Sequence, residues 1–249
     1  MGRKSKQIDG QICFDMCLND SNYVVQANNL ISGKQSLSLN GAKILRTAIM
    51  QIQKDDEELK PYIISTGELA ELLHIPKDNI YRVIDSVSDE LMSSYAEARA
   101  EQGERKKFKK INWVSFCEYD SAVGFAIKLN SDMKPYLLNL KERYTQYTLD
   151  NILAMKSVYG VRIFELINEK IKTRLIPKTG TDIEMSLQYI RECCNCEKKY
   201  DRFSQFKARV LDRAVEEINR VTLFKVSYDY IKDGKTVTGI MFHVNMKYH

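Results

Sequence analysis

The chain has 249 residues, 44% of them hydrophobic and 29% charged, the balance of a globular protein long enough for one large domain or two ordinary ones. No apolar run approaches the ~20 residues that cross a membrane as a helix, and the opening MGRKSKQIDGQICFDMCLND lacks the continuous apolar stretch of a secretory signal; a membrane protein is not expected and a cytoplasmic one is. Six cysteines in such a context are expected as reduced thiols, and the net charge of +5 is unevenly placed, with 20 basic and 20 acidic residues in 1–143 but 18 basic and 13 acidic in 144–249.

Residues 1–21 are polar, with Arg3, Lys4 and Lys6, and show no sustained periodicity, so they read as a mobile arm. Tyr23, Val24 and Val25 suit a short strand. From Leu37 the spacing of Ile44, Leu45, Ala48, Ile49 and Ile52 predicts a helix, ended by the acidic KDDEELKP. Ser65 or Thr66 can cap the next helix, with Glu68 three residues after Ser65 as in a capping box and Leu69, Leu72 and Leu73 as its apolar stripe. A turn follows at His74-Ile75-Pro76. Asp78 can then cap a longer helix in which Ile80, Val83, Ile84, Val87 and Leu91 repeat at helical spacing, which gives a helix-turn-helix.

A polar, helix-favouring stretch leads to GERKKFKK, where Arg105, Lys106, Lys107, Lys109 and Lys110 suit either a solvated loop or phosphate contact. The chain then changes period. INWVSFCEYDSAVGFAIKLN alternates apolar and polar residues about Asp120-Ser121 and predicts two strands and a turn. SDMKPYLLNLKERY reads as a helix closing a first unit, and TLDNILAMKSVYGVRIFELINEKIK opens a second, with Gly160 as an irregularity.

The order long helix, short helix, longer helix, hairpin runs once over 37–129 and again over 148–244. In the second copy the short helix is MSLQYIRECC, and the hairpin is LFKVSYDYIKDGKTVTGIMFHVNM with a tight turn at Asp233-Gly234. Between them, residues 203–221 form the clearest amphipathic helix of the chain. Phe203, Phe206, Val210, Leu211, Ala214 and Ile218 gather on one arc, and Arg202, Gln205, Arg209, Asp212 and Glu216 lie opposite. Along that outer face Lys198, Lys199, Arg202, Gln205 and Arg209 come first and the acids last, so the basic end is the helix N-terminus, the polarity that entry into a DNA groove needs. The fold class is therefore α+β, mostly helical, as tandem winged helices: a domain over 22–143 and a second over 144–249.

Chemical motifs are absent. Gly234-Lys235-Thr236 lacks the earlier glycine of a phosphate-binding loop, since Asp229 stands at that position. Cys193 and Cys196 have CxxC spacing, but there is no second such pair, His74, His243 and His249 are scattered, and Cys194 falls on a helical stripe with Leu187 and Ile190, so no metal is expected. No His-x-His accompanies the tyrosines, as strand nicking would require, and Asp55 to Glu58 read as a solvated acidic run. No catalytic constellation and no cofactor are expected. A helical scaffold without nucleic acid fits the location of the charge excess less well.

FKARVLDRAVEEIN, SVYGVRIFEL at 157–166 and NNLISGKQSLSLNGAKIL together resemble the plasmid replication initiators of the two-winged-helix, iteron-binding family, over roughly residues 22–247. The resemblance implies binding of double-stranded DNA at origin repeats, promotion of duplex opening and recruitment of host replication proteins such as helicase and initiator. It also implies a homodimer made through the N-terminal domain, which adds DNA contacts. Carried over by position, DNA contacts fall on Lys199, Arg202, Ser204, Gln205, Arg209 and Arg213, and the basic start of the outer face adds Lys198 to the expected DNA-binding residues. Lys207 matches as well, although it projects near the apolar arc. DDEELKP and CCNC match nothing in that family. A transcriptional regulator or autorepressor with the same two modules is the alternative.

Overall fold

The computed structural model describes residues 7–8, 11–13, 22–53, 55–102, 105–171, 175–177 and 179–247. The chain divides into two compact units, 21–154 and 155–249, the latter with 1–20. Of the arm expected over 1–21, the described residues are strands β1 (Gln7–Ile8) and β2 (Gln11–Cys13), paired antiparallel; the rest lies outside the described residues.

In the unit 21–154, β3 (Tyr23–Ala27) and α1 (Asn28–Ile31) precede α2 (Leu39–Met50), whose N-cap Ser38 accepts from the Gly41 amide and which buries Ile44, Leu45, Ala48 and Ile49. After β4 (Pro61–Ile64) comes α3 (Thr66–Leu73), closed at its start by the expected capping box: the Glu68 amide donates to Ser65 Oγ at 3.2 Å and the Ser65 amide to Glu68 Oε2 at 2.8 Å. His74, left-handed at φ 54°, ends it. Asp78 does not cap the next helix. The chain enters α4 (Ile80–Ser93) through a 3-10 turn at Lys77–Asn79, and Asn79 stands at the N-cap without a side-chain bond. Ile80, Ile84, Val87 and Leu91 are buried as the spacing requires.

The polar stretch after α4 is not helical. It forms a two-stranded ribbon, β5 (Tyr95–Gln102) against β6 (Arg105–Asn112), so the basic run lies on a strand rather than in a loop. The alanines of YAEARAEQ favour a helix taken alone, but Ala96, Ala98 and Ala100 alternate with Glu97, Arg99 and Glu101, and that period of two fits a paired strand. β7 (Val114–Asp120) and β8 (Gly124–Leu129) are the expected hairpin, and β4 adds to it in the order β4-β8-β7. Residues 131–144, one helix by sequence pattern, form only a 3-10 turn and the four-residue α5 (Lys134–Leu137), with a proline in its first turn. β9 (Tyr144–Thr148) then pairs antiparallel along its whole length with β3, and α6 (Leu149–Leu153) follows. The boundary expected at 143/144 therefore moves to 154/155, because splitting the chain at 144 would strip the first unit of a strand.

In the second unit, α7 (Val158–Lys170) starts at N-cap Ser157, and β10 (Leu175–Pro177) pairs with β2. β11 (Thr181–Ser186) leads into α8 (Leu187–Cys193). The 203–221 helix is composite: α9 (Phe203–Phe206), a π segment (Lys207–Asp212) and α10 (Arg213–Val221). β12 (Phe224–Asp233) and β13 (Thr236–Met246) form the long hairpin, in a sheet ordered β11-β13-β12, the same arrangement as β4-β8-β7.

One packing device recurs in both copies. Gly160 does not disturb α7; it lies inside the helix because the 203–221 helix comes so close there that a Cβ would stand 2.6 Å from Glu217 Oε2. That carboxylate accepts from the amides of Lys156 and Ser157 at 3.0 and 3.1 Å. In the first unit Gly41 of α2 faces Glu90 of α4 at the same 2.6 Å, and Glu90 accepts from the Ser38 amide and hydroxyl at 2.5 and 2.6 Å. Each copy thus reads Ser-x-x-Gly at the start of its long helix and answers it with a glutamate near the end of its last.

Candidate nucleic-acid interface

The candidate interface lies at the start of the 203–221 helix, so its position depends on what holds residues 194–202. Beneath that turn, Cys193, Cys194 and Cys196 are buried as thiols, not joined in disulfides. Burial pushes the Cys194 thiol well above its ordinary value against the opposing Arg162 charge, and the group behaves as a small hydrophobe. Arg162 of α7 pairs with Glu165 at 2.5 Å, both buried, and donates from Nε to the Cys193 carbonyl at 3.2 Å. Arg191 of α8 fixes the other side. Its guanidinium stacks 4.3 Å from the centre of the Phe206 ring while donating to the carbonyls of Lys199 and Tyr200 at 2.8 and 2.9 Å. A guanidinium, planar and fork-shaped, can stack and donate in this way where an ammonium cannot.

On this support the expected residues fall as follows. Lys198 and Lys199 are exposed on the turn, Arg202 is exposed at the N-cap of α9, and Ser204, Gln205 and Arg209 are exposed along the helix. Arg202 provides no side-chain cap, so the first amides of the helix and their partial positive charge face the same region as those cations. Two expected residues stand apart. Lys207 donates from Nζ to Asp212 at 2.7 Å. Arg213, although exposed, is drawn toward the glycine clasp, with Nε 3.4 Å from Glu217 and a donated bond to the Lys156 carbonyl at 3.2 Å.

The wing brings two candidate residues that the sequence pattern does not single out. Gly234 turns the hairpin at φ 56° with no atom beyond its chain neighbours within 4 Å of where a Cβ would be, and Lys232 and Lys235 flank it, exposed at the tip. The signal was present in KDGK, which draws attention first as a fragment of a phosphate loop. The wing is joined to the helix by Tyr228, whose hydroxyl donates to Asp212 at 2.5 Å, and by Tyr230, edge-on to Phe203 at 5.4 Å. Burial opposes ionisation of Asp212, but its bonds from Lys207 and Tyr228 outweigh that and hold the carboxyl below its ordinary value. Burial and the same carboxylate push the Tyr228 hydroxyl up, so it stays a donor.

The equivalent surface of the first unit differs in charge. The exposed positions of α4 and the turn before it are Lys77, Asp78, Asn79, Tyr81, Arg82, Asp85, Ser86, Asp89, Met92 and Ser93, three carboxylates to two cations, and the tip of its hairpin, Ser121 to Val123, has no basic residue. Among the described residues, no group of three or more His, Cys, Asp or Glu is placed to hold a metal ion, and no helix is long and apolar enough to cross a membrane.

A helix-turn-helix followed by a β-hairpin, built twice with the same sheet order and the same glycine clasp, defines a tandem winged-helix protein. The chain belongs to the Initiator Replication protein family: the model of its WH1 domain matches residues 23–168 and that of its WH2 domain residues 186–244. It is 22% identical over 227 residues to a "Replication initiation protein" of Escherichia coli, covering 90% of this chain and 69% of that one. To an "Uncharacterized 27.6 kDa protein" of Escherichia coli it is 20% identical over 239 residues, 91% of this chain and 97% of the relative. Among solved structures it is similar in fold to the Pi initiator protein in complex with iteron DNA, with a TM-score of 0.74 at 20% identity over 92% of this chain and 99% of that one.

Proposed function

We infer that this replication initiator acts at a plasmid origin, binding repeated duplex sites through its second winged helix, promoting strand opening and recruiting host proteins such as helicase and initiator. The observation that carries the reading is the cluster of exposed Lys198, Lys199, Arg202, Ser204, Gln205 and Arg209 around an uncapped helix start, the composition and polarity suited to phosphates and base edges in a major groove. Family membership and the iteron complex of the Pi initiator support it. Lys232 and Lys235 at the wing tip are assigned phosphate contacts, and Arg213 a contact secondary to its place beside Glu217. The first unit supplies auxiliary phosphate contacts and the homodimer. The protein works in the bacterial cytoplasm without catalysis of its own. Footprinting the full chain on the DNA flanking its gene tests this: evenly spaced protected repeats are expected, whereas one isolated operator would make it a regulator and no protection would refute DNA binding.

A further inference from the structure

Lys207 and Asp212 are five positions apart, and in a regular α-helix five positions turn a side chain through about 140°, which puts the two on different faces. Here they meet at 2.7 Å because residues 207–212 are the π segment, where hydrogen bonds close from i to i+5 and bring the fifth residue over the first. The other carboxylate oxygen takes the Tyr228 hydroxyl of β12. One side chain therefore ties a cation of the reading helix and a strand of the wing together. The pair is 39% and 43% exposed, and an ion pair so exposed adds little to folding stability. π turns are rare and gather at functional sites. What this one secures is placement.

We propose that Asp212 is a specificity-determining positioning residue: it withholds Lys207 from indiscriminate phosphate contact and, through Tyr228, sets the wing against the reading helix. The proposal rests on the DNA-binding reading above. Off-site complexes are held by phosphate contacts, each worth about 0.9 in the slope of log affinity against log salt. A lysine neutralised within the protein adds nothing to them. A wing already fixed beside the helix meets its site without an ordering cost, which favours the site where helix and wing both fit.

The test uses the full chain, a duplex selected by that chain from a randomised pool, and a scrambled duplex of equal length, titrated over a salt series. Asp212→Asn keeps an acceptor for Tyr228 but releases Lys207. It is expected to tighten the scrambled duplex several-fold, steepen its salt slope by about 0.9 and lower the selected-to-scrambled ratio by roughly fivefold to tenfold, a single contact's worth. In a Lys207→Gln background the same substitution is expected to change neither slope nor ratio. Tyr228→Phe, neutral in charge, is expected to weaken the selected duplex several-fold and leave the scrambled slope alone. Unchanged slope and ratio in Asp212→Asn, persistence of its effect without Lys207, or a Tyr228→Phe ratio equal to the parent's would each overturn the proposal. If the parent chain shows no salt-dependent binding to either duplex, the DNA-binding reading fails and takes the proposal with it.

Discussion

Arg209 shows how far a single side chain was legible. Helical spacing alone placed it opposite the core, and it is exposed, whereas Lys207 two residues earlier is committed to Asp212, a pairing that 100° periodicity forbids and the π segment allows. Arg209→Ala is expected to cost about 1–3 kcal/mol on the selected site and to relax preference at one base pair, if it makes a bidentate guanine contact. Lys199→Ala is expected to weaken all sequences alike; parallel titrations on selected and scrambled duplexes separate the two. A second residue, His243, is one of three scattered histidines in the sequence, a spacing that suggests no role. It stands between two carboxylates on the outer face of the second sheet, 2.7 Å from Asp182 and 3.2 Å from Asp229. The bond to Asp182 outweighs partial burial, and with Asp229 it raises the imidazole above its ordinary value of 6.5. A raised folded-state value means that protonation stabilises the fold. That contribution is complete below pH 6.5 and is lost as the pH climbs through the higher folded value. Thermal unfolding of the parent should therefore weaken across that window more than that of His243→Gln; identical pH profiles would remove this role.

At the scale of elements, those with local signals were legible and those made by distant pairing were not. Ser65 and Glu68 announce the start of α3 within four residues, and the stripes of α2 and α4 fix their inner faces. The β5–β6 ribbon was hidden by alanines, and β9 by its partner, since β3 lies some 120 residues earlier in the chain. Gly160 suggests an irregularity in the sequence, but its cause is Glu217, which no local window contains. The clasp predicts an asymmetry between the copies. In Gly160→Ala the new methyl group must displace a carboxylate whose side chain is 8% exposed and which accepts two backbone amides, so a loss on the order of 2–4 kcal/mol is expected. Glu90 is less buried than Glu217, and water can take over its bonds, so Gly41→Ala should cost less. Denaturant unfolding of both variants measures the difference; equal costs would mean that burial of the carboxylate does not set the penalty.

The whole molecule repeats one architecture with two charge patterns, and this division was legible in the sequence even where the boundary was not. Moving the boundary to 154/155 sharpens it, leaving 18 basic and 12 acidic residues in 155–249 against 17 and 18 in 21–154. Long-range attraction to a polyanion follows such sums, whereas sequence preference follows the side chains at a groove. The two are therefore separable by substitution. In the first unit Lys77 and Arg82 are the cations exposed on the α4 surface, among Asp78, Asp85 and Asp89. If that surface adds phosphate contacts, replacing both by glutamine in the full chain should flatten the salt slope by up to about 1.8, at 0.9 per contact, and leave base preference in the selected site unchanged. The substitutions lie on exposed positions away from the buried Ile80, Ile84, Val87 and Leu91, so folding should be preserved, which the unfolding midpoint checks. An unaltered slope would assign the first winged helix to protein contacts, and a changed base preference would mean that both copies read sequence despite their unequal charge.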